Sequence, residues 1–102
     1  MHIEINHDRN IHHDESVERH VRQALDTALS RFSGQVTRVE VHLHDKNADK
    51  KGGNDKHCLL EAKVEGRPPL AASDEADTLA AAISGAAKKL QRRLDTDLGR
   101  LH

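Results

Sequence analysis

The chain has 102 residues, 35% of them apolar and 32% charged, with a formal net charge of −1 and Phe32 as the only aromatic residue besides the histidines. That is the size of one domain, so a two-lobed enzyme with a cleft between domains is excluded, and so is a uniformly basic nucleic-acid coat. The 16 basic and 17 acidic residues nearly cancel, which argues against disorder and for a single domain, residues 1–102, with a thin core of Val, Ile, Leu and Ala.

Residues 2–6 alternate, Ile3 and Ile5 against His2, Glu4 and Asn6, which is the two-residue period of a half-buried strand. From Val17 the period changes. Val17, Val21, Leu25, Ala28, Leu29 and Phe32 recur at three and four, the spacing of an amphipathic helix. Asp14 or Ser16 is placed to cap it, Glu15 and Glu18 complement the positive end of its dipole, and Gly34 supplies a residue able to turn left-handed beyond its end.

Residues 36–44 return to period two, with Val36, Val39, Val41 and Leu43 inward, Arg38, Glu40, His42 and His44 outward, and one phase slip between 36 and 39 that marks a bulge or the start of the strand. Residues 57–65 repeat the pattern, with Cys58, Leu60, Ala62 and Val64 on the inner side. The connector 45–56, with four lysines, three aspartates and two glycines, is expected to be a mobile hairpin loop. Gly66-Arg67-Pro68 marks a turn, and residues 70–72 make a short last strand at an edge.

Ser73 then reads as the cap of a second helix, with Asp74, Glu75 and Asp77 in its first turn. Its apolar stripe is Ala76, Leu79, Ile83, Ala86, Leu90, Leu94 and Leu101. Six alanines between 76 and 87 favour the helix and let it approach a sheet closely, whereas Gly85 is a local weak point. The order is β-α-β-β-β-α, an α+β fold. A right-handed crossover makes the first two strands parallel, giving a four-stranded mixed sheet with two helices on one face.

The sole cysteine, Cys58, forms no intrachain disulfide and points to a reducing cytoplasm; on the inner side of its strand it is buried and inert. No apolar run approaches the ~20 residues of a membrane span, and Met1-His2-Ile3-Glu4 lacks a signal-peptide pattern, so the expectation is a cytoplasmic protein without a membrane partner. Nine histidines raise the question of a metal. His42-x-His44 is their best pair, with His2 on a neighbouring strand and His12-His13 in a loop, but no further ligand stands at a diagnostic offset. Asp45, Asn47 and Asp49 imitate a calcium loop, yet Lys50 stands where that loop needs glycine and Lys56 where it needs glutamate. With no nucleophile elbow, phosphate loop or dinucleotide fingerprint, the expectations are no catalytic residues, no metal, no cofactor and no enzymatic activity. The pairs Asp14-Glu15 and Asp74-Glu75 are accounted for by helix starts.

The sharpest asymmetry lies at residues 86–94, AAKKLQRRL, which hold four cations and no acid. At about 100° per residue, a stripe centred on Leu79, Ile83, Ala86 and Leu90 sets Lys89, Arg92, Arg93 and Arg100 down one flank and Lys88 opposite the core. Asp77 and Asp95 fall beyond that flank, leaving it without local neutralisation. Two readings stand: phosphate binding, or a solvated face that complements the helix dipole.

The element order and Ala87-Lys88-Lys89-Leu90-Gln91-Arg92-Arg93-Leu94 together resemble the ribosome hibernation-promoting factor and ribosome-associated inhibitor A family. The likeness extends through Ile3-x-Ile5, Val17-Glu18-Arg19-His20-Val21, Arg38-Val39-Glu40-Val41 and Glu61-Ala62-x-Val64-x-Gly66. It implies a domain similar to a double-stranded-RNA-binding fold, docked on the small ribosomal subunit and its rRNA and silencing idle ribosomes. It also implies RNA-phosphate contacts by Lys89 and Arg92, which match the family's K-L-x-R pattern; Lys88, Arg93 and Arg100 extend that set by helix geometry. The chain resembles the short form, without a ribosome-pairing domain. It reads as a divergent branch, since Thr78-Leu79-Ala80-Ala81-Ala82-Ile83 stands where the family has an aromatic-bearing run and the 45–56 loop is longer. The alternative is a small stress-related interaction module that keeps the fold but binds protein or metal. The oligomeric state is left open.

Overall fold

The computed structural model of the chain describes residues 1–9, 11–12, 14–46 and 55–98. Strand β1 (His2–His7) leads through helix α1 (Glu15–Leu29) and a 3-10 turn (Ser30–Phe32) to β2 (Val36–Asp45), β3 (Lys56–Val64), β4 (Leu70–Ala76) and helix α2 (Leu79–Leu98). The sheet order is β1-β2-β3-β4, with β1 parallel to β2 and the other pairs antiparallel. Parallel neighbours need a crossover, and α1 supplies it. Both helices lie on one face of the sheet, as the alternation required. Val39, Val41, Leu43, Cys58, Leu60 and Ala62 from the strands meet Val21, Leu25, Ile83, Leu90 and Leu94 from the helices, all fully or almost fully buried.

Local chemistry explains several boundaries. Asp14 Oδ1 accepts from the backbone N of Ser16 and Val17 at 3.0 and 3.1 Å, so Asp14 rather than Ser16 is the α1 cap. The slip expected after Val36 is a register shift between Val36 and Arg38, with Thr37 Oγ1 donating to Lys63 O at 3.3 Å. Gly66 has φ +75, a left-handed turn that glycine enters without steric cost. Gly34 does not share it: α1 tightens into the 3-10 turn that buries Phe32, and Gln35 N donates to Phe32 O at 2.9 Å, so the chain leaves the helix without a left-handed residue.

The hairpin arms run further than the sequence suggested. Asp45 pairs with Lys56 in the ladder, Lys46 N donates to Asp55 O at 2.9 Å, and Lys56 Nζ donates to Asp45 Oδ2 at 2.8 Å. A buried carboxylate is costly unless a cation offsets it. Asp45 and Asp55 are each only 8% exposed, and Lys56 stands between them, its ammonium held above the usual lysine range chiefly by the hydrogen bond to Asp45. The predicted mobile tip and the calcium-like positions Asn47 and Asp49 lie outside the described residues.

The larger correction concerns residues 73–78. Ser73 does not cap α2, and Asp74 and Glu75 do not form its first turn. They belong to β4, which runs to Ala76 rather than Ala72 and pairs with β3 as far as Lys56↔Ala76. Asp77 precedes the helix, and Ala76 leaves the helix stripe for the strand. The start of α2 is Thr78, whose Oγ1 accepts from Ala81 N at 3.1 Å and whose carbonyl accepts from Ala82 N at 3.1 Å. A free edge on β3 offers a ladder over the whole stretch, and the acidic side chains find cations across the fold, so pairing overrides the local helix-start signal. Leu98 ends the buried stripe; Leu101 lies outside the described residues.

The two candidate caps separate in a stability measurement. Thr78→Ala should lower the unfolding free energy by about 1 kcal/mol, and Ser73→Ala should leave it within ~0.5 kcal/mol, both read from urea denaturation. The reverse order would return the helix start to Ser73.

Candidate nucleic-acid interface

Helix α2 buries Ala82, Ile83, Ala86, Ala87, Leu90, Leu94 and Leu98, so its charged residues emerge around the rest of its circumference. At about 100° per residue they fan out rather than follow one line. Arg92 lies opposite the core. Lys88 turns toward α1, and Lys89 and Arg93 turn toward β4. This corrects the expected single flank: Arg92 leaves the side of Lys89 and Arg93 and stands on the outer face next to Lys88. The reason is the buried stripe, which extends through Ala82 and Ala87 and ends at Leu98.

The fan is also partly neutralised, contrary to expectation. Lys89 Nζ donates to Asp74 Oδ1 at 2.9 Å. The pairing was hidden in the sequence because Asp74 reads there as a helix residue, whereas in β4 it shares the helix-covered side with Leu70, Ala72 and Ala76. That alternation of small and apolar residues was the signal for a longer strand. Arg93 Nη1 donates to Ala71 O at 3.2 Å, covering a carbonyl on the edge strand. Asp95 is engaged by Arg31 at 3.0 Å. Among the described residues, Lys88 and Arg92 have no hydrogen bond or ion pair, and both are exposed. Arg100 lies outside the described residues.

Beside Lys88 a cleft of about 320 Å³ separates the two helices, lined among others by His20, Gln23, Ala24, Thr27 and Ser84, and by no carboxylate. His20 Nε2 bridges the helices, 3.1 Å from Ala80 O and 3.3 Å from Ser84 Oγ.

Gly85, read in the sequence as a weak point, has a packing role. A Cβ built on it would stand 1.7 Å from Asp74 Oδ2 and 2.7 Å from Asp74 Cγ. The missing side chain is the notch into which the carboxylate fits. The Asp74 carboxyl is held below the usual carboxylate range, first by the hydrogen bond from Lys89 and against partial desolvation.

The uncovered face of the sheet is electrically mixed. Arg38 pairs with Glu4, Lys46 Nζ with Glu75 Oε1 at 2.7 Å, and His42 Nε2 lies 3.0 Å from Glu61 Oε1 without hydrogen-bond alignment. His44 Nδ1 stands 3.4 Å from Asp8 Oδ2, and its ring centroid is 6.2 Å from that of His57. Burial, and then the nearby Lys46 charge, hold the His57 imidazole below its ordinary value. His42 and His44 thus turn to carboxylates, and among the described residues no group of three or more His, Cys, Asp or Glu side chains is arranged to hold a metal ion.

The family model described as sigma 54 modulation protein / S30EA ribosomal protein matches residues 4–102. The crystal structure of the Protein Y N-terminal domain from Thermus thermophilus is similar at 18% identity, over 94% of this chain and 98% of that one, with a TM-score of 0.75. A ribosomal subunit interface protein from Coxiella burnetii is similar at 16% identity, over 94% of this chain and 96% of that one, with a TM-score of 0.73. At these identities the likeness is one of fold. No curated protein sequence matches the chain.

Two measurements follow from the geometry. Gly85→Ala should not stabilise the parent chain despite alanine's advantage of about 1 kcal/mol in a helix, but should stabilise an Asp74→Ala chain by about that amount, because the clash is gone; additive effects in a double-mutant cycle would contradict the notch. Cys58 is fully buried and its thiol is pushed up to about 12, first by burial and then by the Asp74 charge. It should resist an aromatic disulfide reagent at pH 8 in the folded protein and react at once in denaturant, and rapid native labelling would show that the strand opens.

Proposed function

The chain belongs to the sigma 54 modulation protein / S30EA ribosomal protein family, and from that membership we propose that it is a ribosome-associated hibernation factor. In this reading it binds the small ribosomal subunit through rRNA in the cytoplasm and silences translation without catalysing a reaction. The outer face of α2, which carries Lys88, Lys89, Arg92 and Arg93, with Arg100 continuing the run in the sequence, is turned to the phosphates, and its unpaired cations make the contacts. A fold similar to that of a protein named for the ribosomal subunit interface supports it. Among the described residues no helix is long and apolar enough to cross a membrane.

The observation that carries the reading is the pair Lys88 and Arg92, two exposed cations on one helix face that have no partner among the described residues. A chain of net charge −1 gains little from its overall field, so affinity for a polyanion must come from cations that no carboxylate already engages. Each such contact releases counterions and adds nearly one to the slope of log affinity against log salt.

The test is co-sedimentation of the parent and of Lys88→Gln/Arg92→Gln with purified small subunits over a range of salt. The double variant should bind more weakly, with a slope lower by about two, and should keep its melting temperature within a few degrees, since exposed substitutions shift stability by less than ~0.5 kcal/mol. Unchanged salt dependence would remove the helix face from the interface. A parent that never co-sediments would leave the interaction-module reading in its place.

A further inference from the structure

We propose that Asp74 is a positioning residue that holds Lys89 out of the phosphate-contacting set, so that α2 engages RNA chiefly through Lys88 and Arg92. This rests on the RNA-binding reading above and adds a control to the same face. Asp74 projects from the helix-covered side of β4 and meets α2 at two points. Its Oδ1 accepts from Lys89 Nζ at 2.9 Å, and its Oδ2 occupies the space left by Gly85, where a Cβ would stand 1.7 Å away. The two contacts fix the carboxylate from both sides. The Asp74 side chain is 27% exposed and that of Lys89 52%, so the pair sits at the rim of the helix face, where an incoming phosphate would meet both charges together.

A lysine so paired brings no net charge to a polyanion. To replace a counterion it must first leave Asp74, or share its ammonium with a phosphate that the carboxylate repels. Lys88 and Arg92 have no such competitor among the described residues, and Asp95, the acid closest to them in sequence along the helix, is engaged by Arg31. Arg93 is turned to the Ala71 carbonyl, a neutral acceptor that leaves its charge intact. Asp74 therefore lowers the number of effective cations on α2 by one. A merely structural aspartate would leave that number unchanged.

The experiment compares the parent, Asp74→Asn, Lys89→Gln and the double variant in binding to purified small ribosomal subunits across salt, with melting temperatures taken in parallel. Asp74→Asn keeps the shape that fills the Gly85 notch and removes the charge. It should steepen the salt slope by about one and raise affinity up to about tenfold near 0.1 M salt. Lys89→Gln in the parent should change the slope by much less than one, and in the Asp74→Asn background it should abolish the gain. An unchanged slope in a folded Asp74→Asn protein overturns the proposal. So does a Lys89→Gln variant that loses a full unit in the parent, a measurement that stands even where Asp74→Asn does not fold. A parent that fails to bind small subunits sinks the RNA-binding reading and this inference with it, whereas binding that depends on Lys88 and Arg92 but ignores Asp74 sinks this inference alone.

Discussion

The close seating of α2 on the β3–β4 half of the sheet is the constraint on which the rest of the structure depends. With one aromatic residue in 102, the chain has no large rings to span a wide gap between layers. It closes the gap with Ala82, Ala86 and Ala87, all buried, in one core cluster with Ile83, Leu90, Leu94, Leu60, Ala62 and Ala72. Burial of branched and alanyl side chains at native density compensates for their small individual area. The same closeness leaves room at Gly85 for a carboxylate from β4 and for little else.

That seating also decides the electrostatics. Cations and acids are nearly equal in number, and across the fold they are consumed in pairs: Arg22 with Glu18, Arg31 with Asp95, Arg38 with Glu4, Lys46 with Glu75, Lys56 with Asp45 and Lys89 with Asp74. Apart from the buried Lys56–Asp45 pair, exposed pairs of this kind contribute little to stability. Their larger effect is on the charge left over. A polyanion responds to cations still free to exchange a counterion, and on α2 the pairing removes Lys89 while leaving Lys88, Arg92 and the charge of Arg93. A protein with a slightly negative total can therefore present a basic face, provided that its acids are tied down elsewhere.

Much of this was legible in the residues themselves. The switch from period two to period 3.6 at Val17 and back at Val36 marks β1, α1 and β2, because side-chain direction repeats with backbone geometry and needs no distant partner. Asp14 was readable as a cap for the same local reason, as was the turn at Gly66. The basic run at 88–93 and its place on the outer side of a helix also followed from spacing alone.

What the tertiary structure decided are the choices that local chemistry leaves degenerate. Ser73-Asp74-Glu75 suits a helix start and suits an edge strand whose acids face cations. Only the free edge of β3, together with Lys46 and Lys89 brought near by folding, selects the strand. Likewise, spacing lists which cations share a helix face, but not which of them a carboxylate from another element engages. Asp74 and Lys89 are 15 positions apart and on different elements, so their contact exists only once sheet and helix have packed. Periodicity is a property of the backbone and is carried by the sequence, whereas the availability of a charge depends on through-space distances, which only the assembled fold defines.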